Sequence, residues 1–257
     1  MAQSNSDSAQ NNFNISNSPI TNLVGSGSIH YTEATEKSNA LPEPESRKKV
    51  ILFLAAQPLA TARLRLDEEV REIEAGLQRS KHRDCFELKQ QWAVRPRDLQ
   101  RAMLDCKPQI VHFSGHGVGR STEATQSSEA TRKLVPVDRP EQFEEGLILE
   151  DQTGQAKLVN TEALADLFKL FSKSVECVVL NACYSERQAK AIAQHVPYVI
   201  GMNQAIGDRA AIEFAIDFYD ALGAGESIDR AYKLGCVAIR MAEIVEYTTP
   251  KLIQRSS

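Results

Sequence analysis

The chain has no apolar run approaching the ~20 residues that cross a bilayer, so no membrane association is expected. Its first residues, MAQSNSDSAQNN, carry neither the basic segment nor the apolar stretch of a secretory signal, and a cytoplasmic location is the expectation. Cysteine is sparse and odd in number: Cys85, Cys106, Cys177, Cys183 and Cys236, with no CxxC pair. That argues against a disulfide scaffold and a zinc site and fits a reducing compartment. Basic residues are not in excess, and a net charge of -4 gives no footing for a nucleic-acid partner. No GxxxxGK loop is present, and the run Gly115-His116-Gly117-Val118-Gly119 is too short and wrongly spaced to cradle phosphates. Neither a cofactor nor a metal is expected.

What remains is an ordinary globular composition, 42% apolar and 25% charged over 257 residues, enough for one substantial core and a small appendage. Residues 1–46 are the appendage: rich in Ser, Asn, Thr and Glu, with Pro42 and Pro44 stiffening the link to the first strand. Within it, Phe13, Ile15, Ile20, Leu23, Val24, Ile29 and Tyr31 flank a Gly-Ser turn and suit two short strands. A lone hairpin is marginal in water, so the 13–31 motif would need an activating partner or copies of itself. The alternative is an unstructured tail.

From residue 47 to 257 strand-like and helix-like patterns alternate. Val50 to Ala55 is a buried strand, and Leu66, Val70, Ile73 and Leu77 then fall on one helical face. Further strands are read at 86–94, 110–117, 175–183 and 198–202, a short hairpin at 146–159, and helices at 97–105, 161–171, 185–195, 208–222 and 227–246. This alternation predicts an α/β fold with a mostly parallel central sheet and helices on both faces. The stretch 118–145 is polar and too long for an ordinary connection, which marks it as functional or disordered.

In such sheets, sites form beyond the carboxyl ends of the strands. Two runs deliver reactive side chains there: IVHFSGHG, with His116 between Gly115 and Gly117, and VVLNAC, ending at Cys183. If these strands are neighbours, an imidazole meets a thiol. An adjacent imidazole, or the amino end of the helix after Cys183, would lower the thiol pKa. Ser185 with Gln188 resembles a capping box at that helix start. The N–H groups of Gly117 and Cys183 are candidate oxyanion donors. His112 competes with His116, but it lies within the apolar run, where a core histidine bonded to a backbone carbonyl is the bland reading. Position favours His116.

At these residues the chain resembles CHAT-domain proteins, a bacterial branch of the caspase and separase class of cysteine peptidases. The resemblance runs from about Val50 to Pro250 through LFLAAQP, LRLDEEVREIE, PQIVHFSGHG, VECVVLNACYSERQAKAIA, VIGM and DRAAIEFAIDFYDALGAGESIDRAY. It implies a caspase-like three-layer sandwich and a His-Cys dyad, with His116 as general base, Cys183 as nucleophile and Gly117 as oxyanion glycine. Separase-like relatives cleave after basic residues using a carboxylate, and Asp208 occupies the matching place. The other reading of Asp208 is a helix cap. The 118–145 stretch departs from relatives in which a short turn follows the His motif, and Arg132, Lys133 and Arg139 are candidate cleavage points within it. The tail resembles Asn/Gly-rich motifs of bacterial conflict-system effectors. The implied function is a regulated endopeptidase acting on protein substrates, with a caspase-type homodimer through the sheet edge; the alternative is a catalytically silent scaffold.

Overall fold

Ile51 through Ala55 are all buried, which is why the first strand, β1 (Lys49–Ala55), reads as an unbroken apolar run. A strand between two helical layers has no wet face to punctuate it with polar residues. In the computed structural model, which describes residues 48–119 and 145–255, β1 lies in a six-stranded sheet. Its companions are β2 (Phe86–Gln91), β3 (Ile110–Ser114), β7 (Cys177–Asn181), β8 (Tyr198–Met202) and β9 (Pro250–Gln254). The order is β2-β1-β3-β7-β8-β9, parallel throughout except for β9, which runs antiparallel along β8. A second, antiparallel sheet joins β4 (His116–Val118), β5 (Gly146–Glu150) and β6 (Ala156–Asn160) in that order. The tail 1–46, with its 13–31 motif, and residues 120–144 of the polar stretch lie outside the described residues.

Alternation along the strands divides the core in two. Leu52, Leu54, Val111, Phe113, Val178 and Leu180 face one layer, built from α2 (Pro96–Cys106), α3 (Thr161–Leu170) and α4 (Glu186–Ile192). Ile51, Phe53, Ile110, Cys177 and Val179 face the other, built from α1 (Leu66–Arg79), α5 (Asp208–Gly223) and α6 (Ile228–Met241). Phe53, Phe214, Phe218 and Tyr219 are fully buried in that second layer. Each such side chain stabilises the fold by roughly 2–3 kcal/mol relative to exposure. The result is the three-layer α/β sandwich that the sequence predicts.

The chain leaves β1 toward β2 on one side and returns to β3 on the other, so the order reverses between β1 and β3. Loops diverge at such a point and leave a crevice beyond the carboxyl ends of the strands. Ala55 of β1 lies opposite Ser114 of β3, and Ser114 lies opposite Asn181 of β7, so the three strands end at one level.

Candidate active site

His116 and Cys183 each lie two residues past that level, beyond the ends of the neighbouring parallel strands β3 and β7. The main sheet ends at Ser114. Gly115 still donates its N–H to the Asn181 carbonyl at 3.3 Å, and the chain then turns into β4, where His116 pairs with Ile148. This break means that His116 does not continue the alternation of His112, although the two are four residues apart. Gly117 carries the contact between the two segments. A Cβ built on it would lie 2.2 Å from the Cys183 carbonyl oxygen, so only a glycine permits this approach.

The His116 ring is half-buried, and its Nε2 lies 2.9 Å from the Ala62 carbonyl oxygen in the loop after β1. A carbonyl can only accept, so Nε2 carries the proton and Nδ1 is left as the basic nitrogen. Burial pushes the imidazole below its ordinary value, against the Ala62 carbonyl and the negative charge of Asp208, which both favour the cation. Among the described residues no hydrogen bond joins His116 to Cys183. The Cys183 sulfur instead accepts from the Ile206 N–H at 3.5 Å and lies 3.7 Å from the Ile206 carbonyl oxygen. The next residue, Tyr184, is left-handed at φ 56° and donates its N–H to the Gln204 carbonyl.

The structure corrects two expectations about Cys183. Its thiol is not driven toward thiolate: burial pushes its pKa up, outweighing the Ile206 and Cys183 backbone N–H groups that pull it down. Nor does Ser185 open a capping box. Its hydroxyl is buried and donates to the Leu180 carbonyl while accepting from the Met202 N–H, both at 2.9 Å. That ties the end of β7 to β8 and leaves α4, only seven residues long, without a side-chain cap. Gln188 reaches across to the Thr161 hydroxyl at 3.1 Å.

Asp208 is the first residue of α5 and caps no helix of its own. Both carboxylate oxygens accept from the Arg65 backbone N–H, at 3.0 and 3.2 Å, just before α1. Asp208 is half-buried, and among the described residues no lysine or arginine side chain pairs with it. His116, Gly117, Cys183 and Asp208 are thus gathered at one edge of the molecule. A polar hollow of about 290 Å³ at the end of β2, lined by Trp92, Arg95, Asp98 and Glu150 among others, includes none of them.

Sequence reasoning missed the groups beneath and beside this edge. His112 is buried, but its partners are side chains rather than a backbone carbonyl. Nδ1 meets the Tyr219 hydroxyl at 3.1 Å, and Nε2 lies 2.9 Å from Glu69 Oε1, though out of line for a good hydrogen bond. Glu69, on α1, also accepts from the Ser114 hydroxyl at 2.5 Å and the Asn181 amide at 2.7 Å. Gln57 and Ala62, beside His116, carried no signal because their contribution runs through amide and backbone groups. An acidic residue buried on an otherwise apolar helix face was the one available hint of Glu69.

Comparison with known proteins gives this geometry a context. The CHAT domain profile matches residues 23–244, beginning further toward the amino terminus than Val50. A Roc-COR-CHAT protease from an unknown prokaryotic organism is 26% identical over 199 residues, covering 75% of this chain and 16% of that protein. A probable protease from Gillisia limnaea is 24% identical over 186 residues, covering 72% of this chain and 29% of that protein. The chain therefore spans less than a third of the length of either relative. A secreted C11 cysteine protease from Bacteroides thetaiotaomicron, solved with an irreversible peptide inhibitor, shares the fold. Its TM-score is 0.55 at 13% identity, over 81% of this chain and 66% of that one. With the profile spanning most of its length, the chain belongs to the CHAT domain family.

Proposed function

We propose that the chain is a cysteine endopeptidase in which Cys183 is the nucleophile and His116 the general base. The observation that carries this reading is the juxtaposition of the two strand ends, in register at Ser114 and Asn181 with Gly117 against the Cys183 carbonyl. Burial opposes the charged forms of both the thiol and the imidazole. Proton transfer from Sγ to Nδ1 of His116 therefore accompanies attack on the scissile carbonyl. The new S–C bond pushes the carbonyl electrons onto oxygen, which the Gly117 and Cys183 N–H groups receive. Collapse expels the amine, protonated by the imidazolium, and leaves a thioester that water, deprotonated by His116, hydrolyses.

Asp208 is assigned to recognition of Arg or Lys at the cleavage point. Its charge has no cationic partner among the described residues, and a guanidinium entering beside Arg65 would form paired charge-assisted hydrogen bonds with it. In this reading the enzyme is a regulated effector of a bacterial conflict or defence system, acting on protein substrates. Residues 13–31 recruit it to an activator or to copies of itself, and 118–145 is a processed regulatory loop. Dimerisation through the sheet edge belongs to the same reading.

The test is incubation of wild type, Cys183→Ala and His116→Ala with a peptide library and candidate partners, with and without residues 1–46. Cleavage lost in both variants supports the assignment. Absence of cleavage by the wild type under every activating condition favours the scaffold reading instead.

A further inference from the structure

The loop between β1 and α1 has no strand or helix of its own, yet it presents the carbonyl that orients His116. One side chain organises it. Gln57, two residues past the end of β1, donates from Nε2 to the Thr61 hydroxyl and to the Ala62 carbonyl, both at 2.9 Å. Its Oε1 accepts from the Leu64 N–H at 2.8 Å. Its own backbone N–H donates to Glu150 Oε1 at 3.0 Å, anchoring the residue to the second sheet. At the far end of the loop, Asp208 holds the Arg65 N–H.

The Ala62 oxygen thus accepts from two donors, Gln57 Nε2 and His116 Nε2, each at 2.9 Å. A carbonyl has two lone pairs, so both are used and its direction is set. Among the described residues no backbone N–H donates to it. A primary amide suits the place of Gln57 because it alone, uncharged, offers two donors and an acceptor on one plane. Glutamate of the same length keeps the acceptor and loses both donors.

We propose that Gln57 is a positioning residue: through the Ala62 carbonyl it locks His116 with its proton on Nε2, keeping Nδ1 as the basic nitrogen that would serve the Cys183 thiol. This rests on the reading of His116 as the general base. The second hydrogen bond of a histidine decides which ring nitrogen is protonated, and a misaligned base costs rate even when the substrate still binds.

The experiment uses the full chain with ¹⁵N-labelled histidine. Long-range ¹H–¹⁵N spectra read the tautomer of His116, assigned by its loss in His116→Ala. The wild type is expected to show one neutral tautomer, protonated at Nε2. Gln57→Met and Gln57→Glu are expected to show averaging between the two tautomers, with thermal melting confirming that each is folded. Having two variants keeps the test open if one does not fold. On a fluorogenic peptide drawn from the library, kcat should fall by about tenfold to a hundredfold with KM little changed. An unaltered Nε2–H tautomer in both variants overturns the proposal whatever the activity. Full cleavage by His116→Ala overturns the dyad reading instead, and the spectra separate the two failures.

Discussion

Ser114 and Asn181 face each other across the β3–β7 pair, and both donate to the carboxylate of Glu69, one to each oxygen. One buried carboxyl group on α1 thereby ties together the two strands that deliver His116 and Cys183. His112 closes the cluster from the side, stacked on Phe53 at 5.0 Å.

Truncating that carboxylate should be costly. Glu69→Ala leaves the Ser114 hydroxyl and the Asn181 amide without their shared acceptor in a buried site. Each buried donor left without a partner costs about 1–3 kcal/mol. Denaturant unfolding of the variant should show a loss of that order, and a loss under about 1 kcal/mol would mean that the cluster relaxes without it.

Gly117→Ala tests the contact that joins the two halves of the site. Its Cβ would sit 2.2 Å from the Cys183 carbonyl oxygen, so one backbone segment must move. A displacement near 1 Å at the reacting groups lowers the rate by about a hundredfold. We expect kcat to fall by that order with the far-UV spectrum unchanged. Activity within a few-fold of wild type would show that β4 can slide without disturbing Cys183.

The pH dependence is set by His116. The imidazole must be neutral to take the thiol proton, so activity falls only as pH drops through the pKa of His116 in the folded protein. Burial holds that value below 6.5, and the acid limb of kcat/KM should lie below pH 6.5. The charge of Asp208 favours the imidazolium, so Asp208→Asn should move the limb to still lower pH. A limb above 6.5, or an upward move in the variant, contradicts the assignment.

Specificity is checked at the same residue. Asp208→Ala should abolish any preference for Arg or Lys at the cleavage point, since it removes the carboxylate those side chains would meet. An unchanged preference in a peptide-library profile would leave Asp208 only its hold on the Arg65 N–H.

Cys183 should behave as a resting thiol. Alkylation by iodoacetamide tracks the thiolate fraction, and burial places the Cys183 pKa above 9.0. Its rate, measured by peptide mapping, should still be climbing at pH 9. A plateau at neutral pH would reveal a thiolate that the surroundings of Cys183 do not support.

The strands were legible because burial on both faces writes apolar runs such as Ile51 to Ala55 directly into the chain. His116 and Cys183 were legible because strand ends in this fold class carry chemistry. The environment of the thiol was not. Ser185 looked like a cap, but its hydroxyl is drawn to Leu180 and Met202, partners brought near only by sheet packing. The partner of Asp208 is a backbone N–H 143 residues away, which no local pattern can encode. Ala62 acts through its carbonyl, a group that every residue has.

The pairing of β4 with β5 sets Val118 opposite Gly146 and so brings together the two ends of the polar stretch between them. A single cut anywhere between Gly119 and Glu145 would sever the polypeptide and leave the architecture joined. One fragment would keep β1, β2, β3 and β4, and the other β5 through β9, with the seam running along the β3–β7 and β4–β5 ladders. His116 would then reside on one polypeptide and Cys183 on the other. Such a molecule would migrate as two bands under denaturing conditions and as one particle in its native state.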